Sequence, residues 1–226
     1  MLVWERPEPP DRPVLAPLSR ERIVRAAIGL ADADGLDAVS LRKVAAKLDV
    51  GPMRLYGYIA SKEELLDLMV DAVYAEIRPA GDGWREVLRS HAEAVRRVVH
   101  QHEWFADLLG GRPQLGPNAL ANGETVVAAL GAVGLDAVMP TAAAVNAYVA
   151  GAVRREIVAR RAERATGMDE KRWQAALGPY LVRTFADGRH PALATVVRDA
   201  AHLDADQTFR MGLDFLLDGI EARIAK

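Results

Sequence analysis

Between residues 38 and 66 the chain sets Arg42, Lys43, Arg54 and Lys62 among Met53, Tyr56 and Tyr58. Cations interleaved with phenols suit a polyanion that offers both phosphate oxygens and base faces. Arg42, Lys43, Lys62 and the Ser40 hydroxyl have the charge and reach for phosphate. Tyr56 and Tyr58 offer hydroxyls to phosphate and rings to sugars; their other reading is that they pack their own domain. Arg54 carries the donor fork that matches O6 and N7 of guanine. Met53 can meet a thymine methyl, and Pro52 stands beside them at the same tip.

Two short rods and a turn would bring these groups together. Ser40 is a fitting N-cap. Leu41, Val44, Ala45 and Leu48 make an apolar stripe over residues 41–48 that leaves Arg42, Lys43 and Lys47 pointing elsewhere. Asp49-Val50-Gly51 breaks that helix, and Pro52 suits the first position of the next, residues 52–59. Ser61 and Glu64 have capping-box spacing at the start of a third. Helix, tight turn and short basic helix form the layout of a DNA-reading helix-turn-helix.

A net charge of −2 argues at first against nucleic acid. Its distribution reverses that, because residues 38–62 hold five cations against Asp49 alone. Affinity for phosphate follows the charge on the contact face. A chain of 226 residues, half hydrophobic and 27% charged, is globular and holds one large or two modest domains. The absence of cysteine excludes disulfides, thiolate metal sites and a cysteine nucleophile, and fits a reducing cytoplasm. The proline-rich N-terminus lacks the apolar run of a secretory signal.

Four stretches carry a likeness to a known family: Ser19-Arg-Glu-Arg-Ile-Val-Arg-Ala-Ala, Gly35-Leu-Asp-Ala-Val-Ser-Leu-Arg-Lys-Val-Ala, Leu55-Tyr-Gly-Tyr-Ile and Ser61-Lys-Glu-Glu-Leu-Leu. Together they resemble the N-terminal domain of TetR-type (tetracycline-repressor-like) transcriptional regulators, without a gap from Ser19 to about Arg78. The resemblance implies phosphate contacts at Lys62 and Tyr56 and base reading at Arg54. Gly57 stands where the family commonly has an aromatic.

The pattern divides the chain into a flexible proline-rich arm (residues 1–18), a helix-turn-helix domain (19–78) and a second domain (79–226). Helices are expected over 19–34 and 61–78 in the head, the latter a rod of roughly 27 Å joining the two domains. Beyond it lie helices near 84–100, 118–133, 137–164 and 204–226, with short pieces at 103–109, 169–177, 180–186 and 191–202. No strand-like alternation occurs, so the fold class is all-α. Residues 137–153 carry no charge, but their alanines, Pro140, Thr141 and Asn146 are too polar and too thin for a bilayer span. Small residues on all faces suit burial, and the resemblance implies a four-helix interface between two subunits, built from this helix and the last one.

The second domain shows no converging catalytic set, phosphate loop or nucleophile elbow, so an enzyme is not expected and no cofactor is called for. His100 and His102 diverge by about 200° on a helix and make a poor metal pair. A ligand pocket fits better. His91 falls among valines on the inward face of its helix, and Asn146 falls within the uncharged run. Trp104 and Phe105 can supply apolar wall; a polar core satisfied by backbone or water is the competing reading. The resemblance places His91, Val95, Val126, Met139, Ala142 and Asn146 near the family's effector cavity. It also puts Leu108 where tetracycline-binding members chelate magnesium through a histidine, which disfavours that drug as ligand. The expectation is a cytoplasmic homodimeric repressor that leaves a palindromic operator in double-stranded DNA when a small apolar or aromatic effector binds, without membrane contact. The alternative is an architectural or nonspecific DNA-binding protein without an effector.

Overall fold

The structure is a computed structural model that describes residues 2–7, 18–111 and 114–224. Among these every regular element is helical and none is a strand. The head comprises α1 (Arg20–Asp34), α2 (Leu41–Lys47), α3 (Pro52–Leu55) and α4 (Lys62–Tyr74). Ser19, Ser40 and Ser61 each cap a helix by accepting the third backbone N–H, at 3.2 Å in every case. Glu64 closes only half of the expected capping box. Its carboxylate takes the Ala60 N–H at 2.7 Å and pairs with Arg6, rather than bonding the Ser61 N–H. Ile23, Ala27, Val44, Leu55, Ile59, Leu65 and Met69 fill the core between these helices.

Several expectations change here. The second helix of the motif is regular only over Pro52–Leu55 and then loosens into a turn. Within the Asp49-Val50-Gly51 break, left-handed backbone falls at Asp49 (φ 54°), and aspartate tolerates that conformation better than most side chains. Helix α4 stops at Tyr74 rather than Arg78, which shortens the connecting rod to about 20 Å. Ile77 still enters the core as the chain turns. The start of the arm is docked: Val3 is buried in a 3-10 turn, and Arg6 is tied to Glu64. The rest of the expected arm, residues 8–17, lies outside the described residues.

The body is built on α5 (Trp84–Gln101), α6 (Pro117–Ala129) and α7 (Leu135–Thr166), with α10 (Ala205–Ile224) against α7. Tyr148 of α7 donates to the Phe209 carbonyl at 2.7 Å, and its ring sits where a Cβ on Gly212 would be. Between them run α8 (Glu170–Phe185) and α9 (Pro191–Asp199). Two short helices were expected in place of α8, but Pro179 forfeits one backbone bond without ending the helix. Neither α8 nor α9 has a buried residue, and Trp173, Tyr180, Val182, Leu193 and Val196 are all more than half exposed.

Two polar seams join head to body. Helix α6 has no capping side chain of its own, since its N-cap is Gly116. Asp71 of α4 supplies the cap from outside, taking the Asn118 and Ala119 N–H groups at 2.9 and 3.0 Å and the Asn118 amide at 2.9 Å. A Cβ on Gly116 would lie 2.2 Å from that carboxylate, so the glycine allows the approach. At the second seam Asp32 of α1 accepts from Trp104 Nε1 at 2.7 Å and meets His102 Nδ1 at 2.8 Å.

Candidate nucleic-acid face and effector cavity

The basic groups stand on three successive helices: Arg42, Lys43 and Lys47 on α2, Arg54 on α3 and Lys62 at the start of α4. Arg42, Lys43, Lys47, Arg54 and Lys62 are all exposed. Arg42, Lys43 and Arg54 make no ion pair among the described residues. Cations of the body are used differently: Arg85, Arg89, Arg96, Arg161 and Arg164 each pair with a carboxylate. Positive charge left unpaired in the head is therefore available to an external polyanion. Ser40 accepts the Lys43 N–H, which leaves its own hydroxyl hydrogen free to donate.

At the tip of α3, Met53 is 79% exposed, with Pro52 and Arg54 exposed beside it. Tyr56 is half exposed. Tyr58 differs from the expectation of a surface contact. It is buried in the head core, and its carbonyl accepts from Arg20 Nε at 3.2 Å, so this ring follows the packing reading.

A cavity of about 440 Å³ opens in the body between α5, α6 and α7, bounded by residues 108–111 and by Tyr74 at the end of α4. His91, Val95 and Asn146 line it. His91 Nε2 lies 3.0 Å from Asn146 Oδ1, and burial pushes the imidazole pKa below its ordinary value while the Asn146 bond opposes that shift. Five other expected wall residues lie elsewhere, among them Phe105, which is buried against Tyr74 and Trp104. Trp104 is sealed in the head–body seam, with its indole N–H committed to Asp32. Val126 packs in the core, and Ala142 is buried while its neighbour Ala143 faces the cavity. Met139 is 67% exposed, on a part of α7 that the cavity does not reach.

Sequence reasoning missed Tyr74 and Asn122, which line both this cavity and a neighbouring one of about 250 Å³. Asn122 donates to the Ile77 carbonyl at 3.1 Å, holding the chain just past α4. A polar Asn122 within an apolar helix was the available signal. The acid Asp71 in the buried stripe of α4 was another, given a following helix that begins Gly116-Pro117 with nothing to cap it. Leu108 lines the cavity and brings no metal-binding atom. Among the described residues no group of three His, Cys, Asp or Glu side chains could hold a metal ion. His100 instead meets Glu156 at 2.7 Å, and His102 lies between Asp32 and Glu76. No helix among them is long and apolar enough to cross a membrane.

Residues 23–69 match the family described as bacterial regulatory proteins, tetR family, and residues 78–224 match the tetracyclin repressor-like C-terminal domain. The HTH-type transcriptional repressor DrrR1 of Streptomyces coeruleorubidus is 35% identical over all of this chain and 85% of its own length. An HTH-type transcriptional regulator of Saccharopolyspora erythraea is 38% identical over 97% of this chain and 91% of its own. Among solved structures, Streptomyces coelicolor ActR in complex with actinorhodin superposes with a TM-score of 0.76 at 27% identity. That match covers 92% of this chain and 97% of ActR. The two matched domains follow one another in the order of head and body, and the chain belongs to the TetR family of bacterial transcriptional regulators.

Proposed function

We propose that the chain is a homodimeric repressor of the cytoplasm, without enzymatic activity, that binds a near-palindromic operator and leaves it when a small molecule fills the body cavity. The observation that carries the DNA reading is the exposed set Arg42, Lys43 and Arg54, clustered on the helix-turn-helix and without an ion pair among the described residues. In this reading Arg54, Met53 and Pro52 face base edges, while Ser40, Arg42, Lys43, Tyr56 and Lys62 hold phosphates. Two heads on one palindrome need two copies of the chain. The unburied helices α8 and α9 and the exposed Phe215 and Met211 of α10 offer apolar surface for a second copy.

Support for an effector comes from the cavity itself and from the actinorhodin complex of ActR. Tyr74 joins the cavity wall to the last turn of α4, so an occupant touches the helix that carries the head. An occupant acts only if it binds the released arrangement more tightly than the bound one. Footprinting across the DNA upstream of the chain's own gene tests the reading. Protection of one palindrome at a salt concentration that strips the protein from random DNA supports it. Equal affinity for all sequences, falling together with salt, would establish the nonspecific architectural alternative.

A further inference from the structure

We propose that Asn146, its amide held in place by His91, is the specificity-determining donor of the body cavity and selects a neutral ring compound that presents a carbonyl oxygen. The inference rests on the effector reading above and names the ligand class for it. His91 is 5% exposed and its Nδ1 is sealed away without a partner. A buried N–H without an acceptor costs more than an unshared lone pair, so the ring proton belongs on Nε2. Nε2–H then donates to Asn146 Oδ1 across 3.0 Å. That bond fixes the plane of the amide and leaves both N–H groups of Nδ2 without a partner among the described residues, on an exposed residue of the cavity wall.

Two fixed N–H donors complement a carbonyl or quinone oxygen and offer nothing to a hydroxyl hydrogen. Tyr74 adds a hydroxyl that burial keeps protonated. Val95, Val149, Leu108 and Leu109 supply apolar wall, and about 440 Å³ suits a ligand of a few fused rings. No formally charged side chain lines the cavity among the described residues. Against these described residues a carboxylate would give up hydration without gaining an ion pair.

Equilibrium dialysis of the full chain against fluorenone, fluorene and fluorene carboxylate tests this, because the ring skeleton is common and only the polar group changes. Fluorenone is expected to bind about fivefold to tenfold tighter than fluorene, the worth of one neutral hydrogen bond. The carboxylate is expected to bind more weakly than fluorenone. Asn146→Leu should bring the fluorenone-to-fluorene ratio close to one, and His91→Phe should lower it by freeing the amide to turn. A ratio is read rather than an affinity, so general loosening of the fold cannot imitate the result. The proposal is overturned if fluorenone fails to bind or shows no preference over fluorene. It is overturned equally if Asn146→Leu keeps the preference, or if the carboxylate binds tightest. Operator release by fluorenone is measured in parallel. Selective binding without release leaves the inference standing and refutes the effector reading instead.

Discussion

Replacing Asp71 by alanine removes the side-chain cap that α6 receives among the described residues and one of the two polar seams between head and body. The carboxylate is 7% exposed and accepts from two backbone amides and one side-chain amide at 2.9–3.0 Å. Loss of a helix cap costs about 1–2 kcal/mol. Loss of a negative charge beside the helix N-terminus adds about 0.3–1 kcal/mol. The sum, about 1.3–3 kcal/mol, corresponds to a fall in melting temperature of about 3–12 °C for a chain of this size. Asp71→Asn keeps an oxygen for the backbone amides but turns an N–H₂ group toward the Asn118 amide, so roughly half that loss is expected. Urea unfolding gives the energies. Hydrogen exchange gives the location, with the Asn118 and Ala119 amides exchanging faster while protection in α1 is kept. The reasoning fails if Asp71→Ala costs less than about 0.5 kcal/mol, or if alanine and asparagine cost the same.

Three further perturbations separate the remaining contributions. Arg54→Ala should narrow the gap between operator and random DNA, whereas Lys62→Ala should weaken both alike and reduce the salt slope by about one; titrations at several salt concentrations distinguish them. His91 has a folded pKa below its ordinary 6.5, chiefly through burial. Below about pH 6.5 the unfolded chain takes up a proton that the folded chain refuses. Stability should therefore fall as pH drops toward the folded pKa, by up to about 1.4 kcal/mol per unit. His91→Phe should remove that component, and identical slopes for the two proteins between pH 7 and pH 5 would refute the assignment. A Cβ on Gly212 would lie 2.4 Å from the Tyr148 hydroxyl, whereas one on Gly219 meets nothing within 4 Å. Gly212→Ala should cost about 1–3 kcal/mol through overpacking, and Gly219→Ala should cost nothing through contacts within the chain; thermal melts of the two variants check this.

Much of the head was legible because its signals are local. Serine caps, apolar spacing and Pro52 act within a few residues of one another, and a helix-turn-helix is made of such short-range terms. The body was legible as a set of helices, but not as a cavity. Met139 and Ala142 share the uncharged run with Asn146, yet only Asn146 reaches the opening. The rotation of α7 against α5 decides this, and spacing along one helix cannot report rotation against another. Trp104 was misread for a related reason. An indole suits either a ligand wall or a seam, and the N–H of this one is claimed by Asp32 from a distant part of the chain.

Composition and spacing alone determined that this chain is helical, that its N-terminal domain is a helix-turn-helix, and that residues 42–62 hold a cluster of cations. Those properties follow from side-chain types and periodicities within single segments. Tertiary structure decided which cations stay unpaired, that Tyr58 belongs to the core, that Asp71 caps a helix of the other domain, and that His91 holds Asn146 at a cavity wall. Each of these depends on a partner many residues away. A polar side chain shows its role only when the group that satisfies it, or fails to, is known.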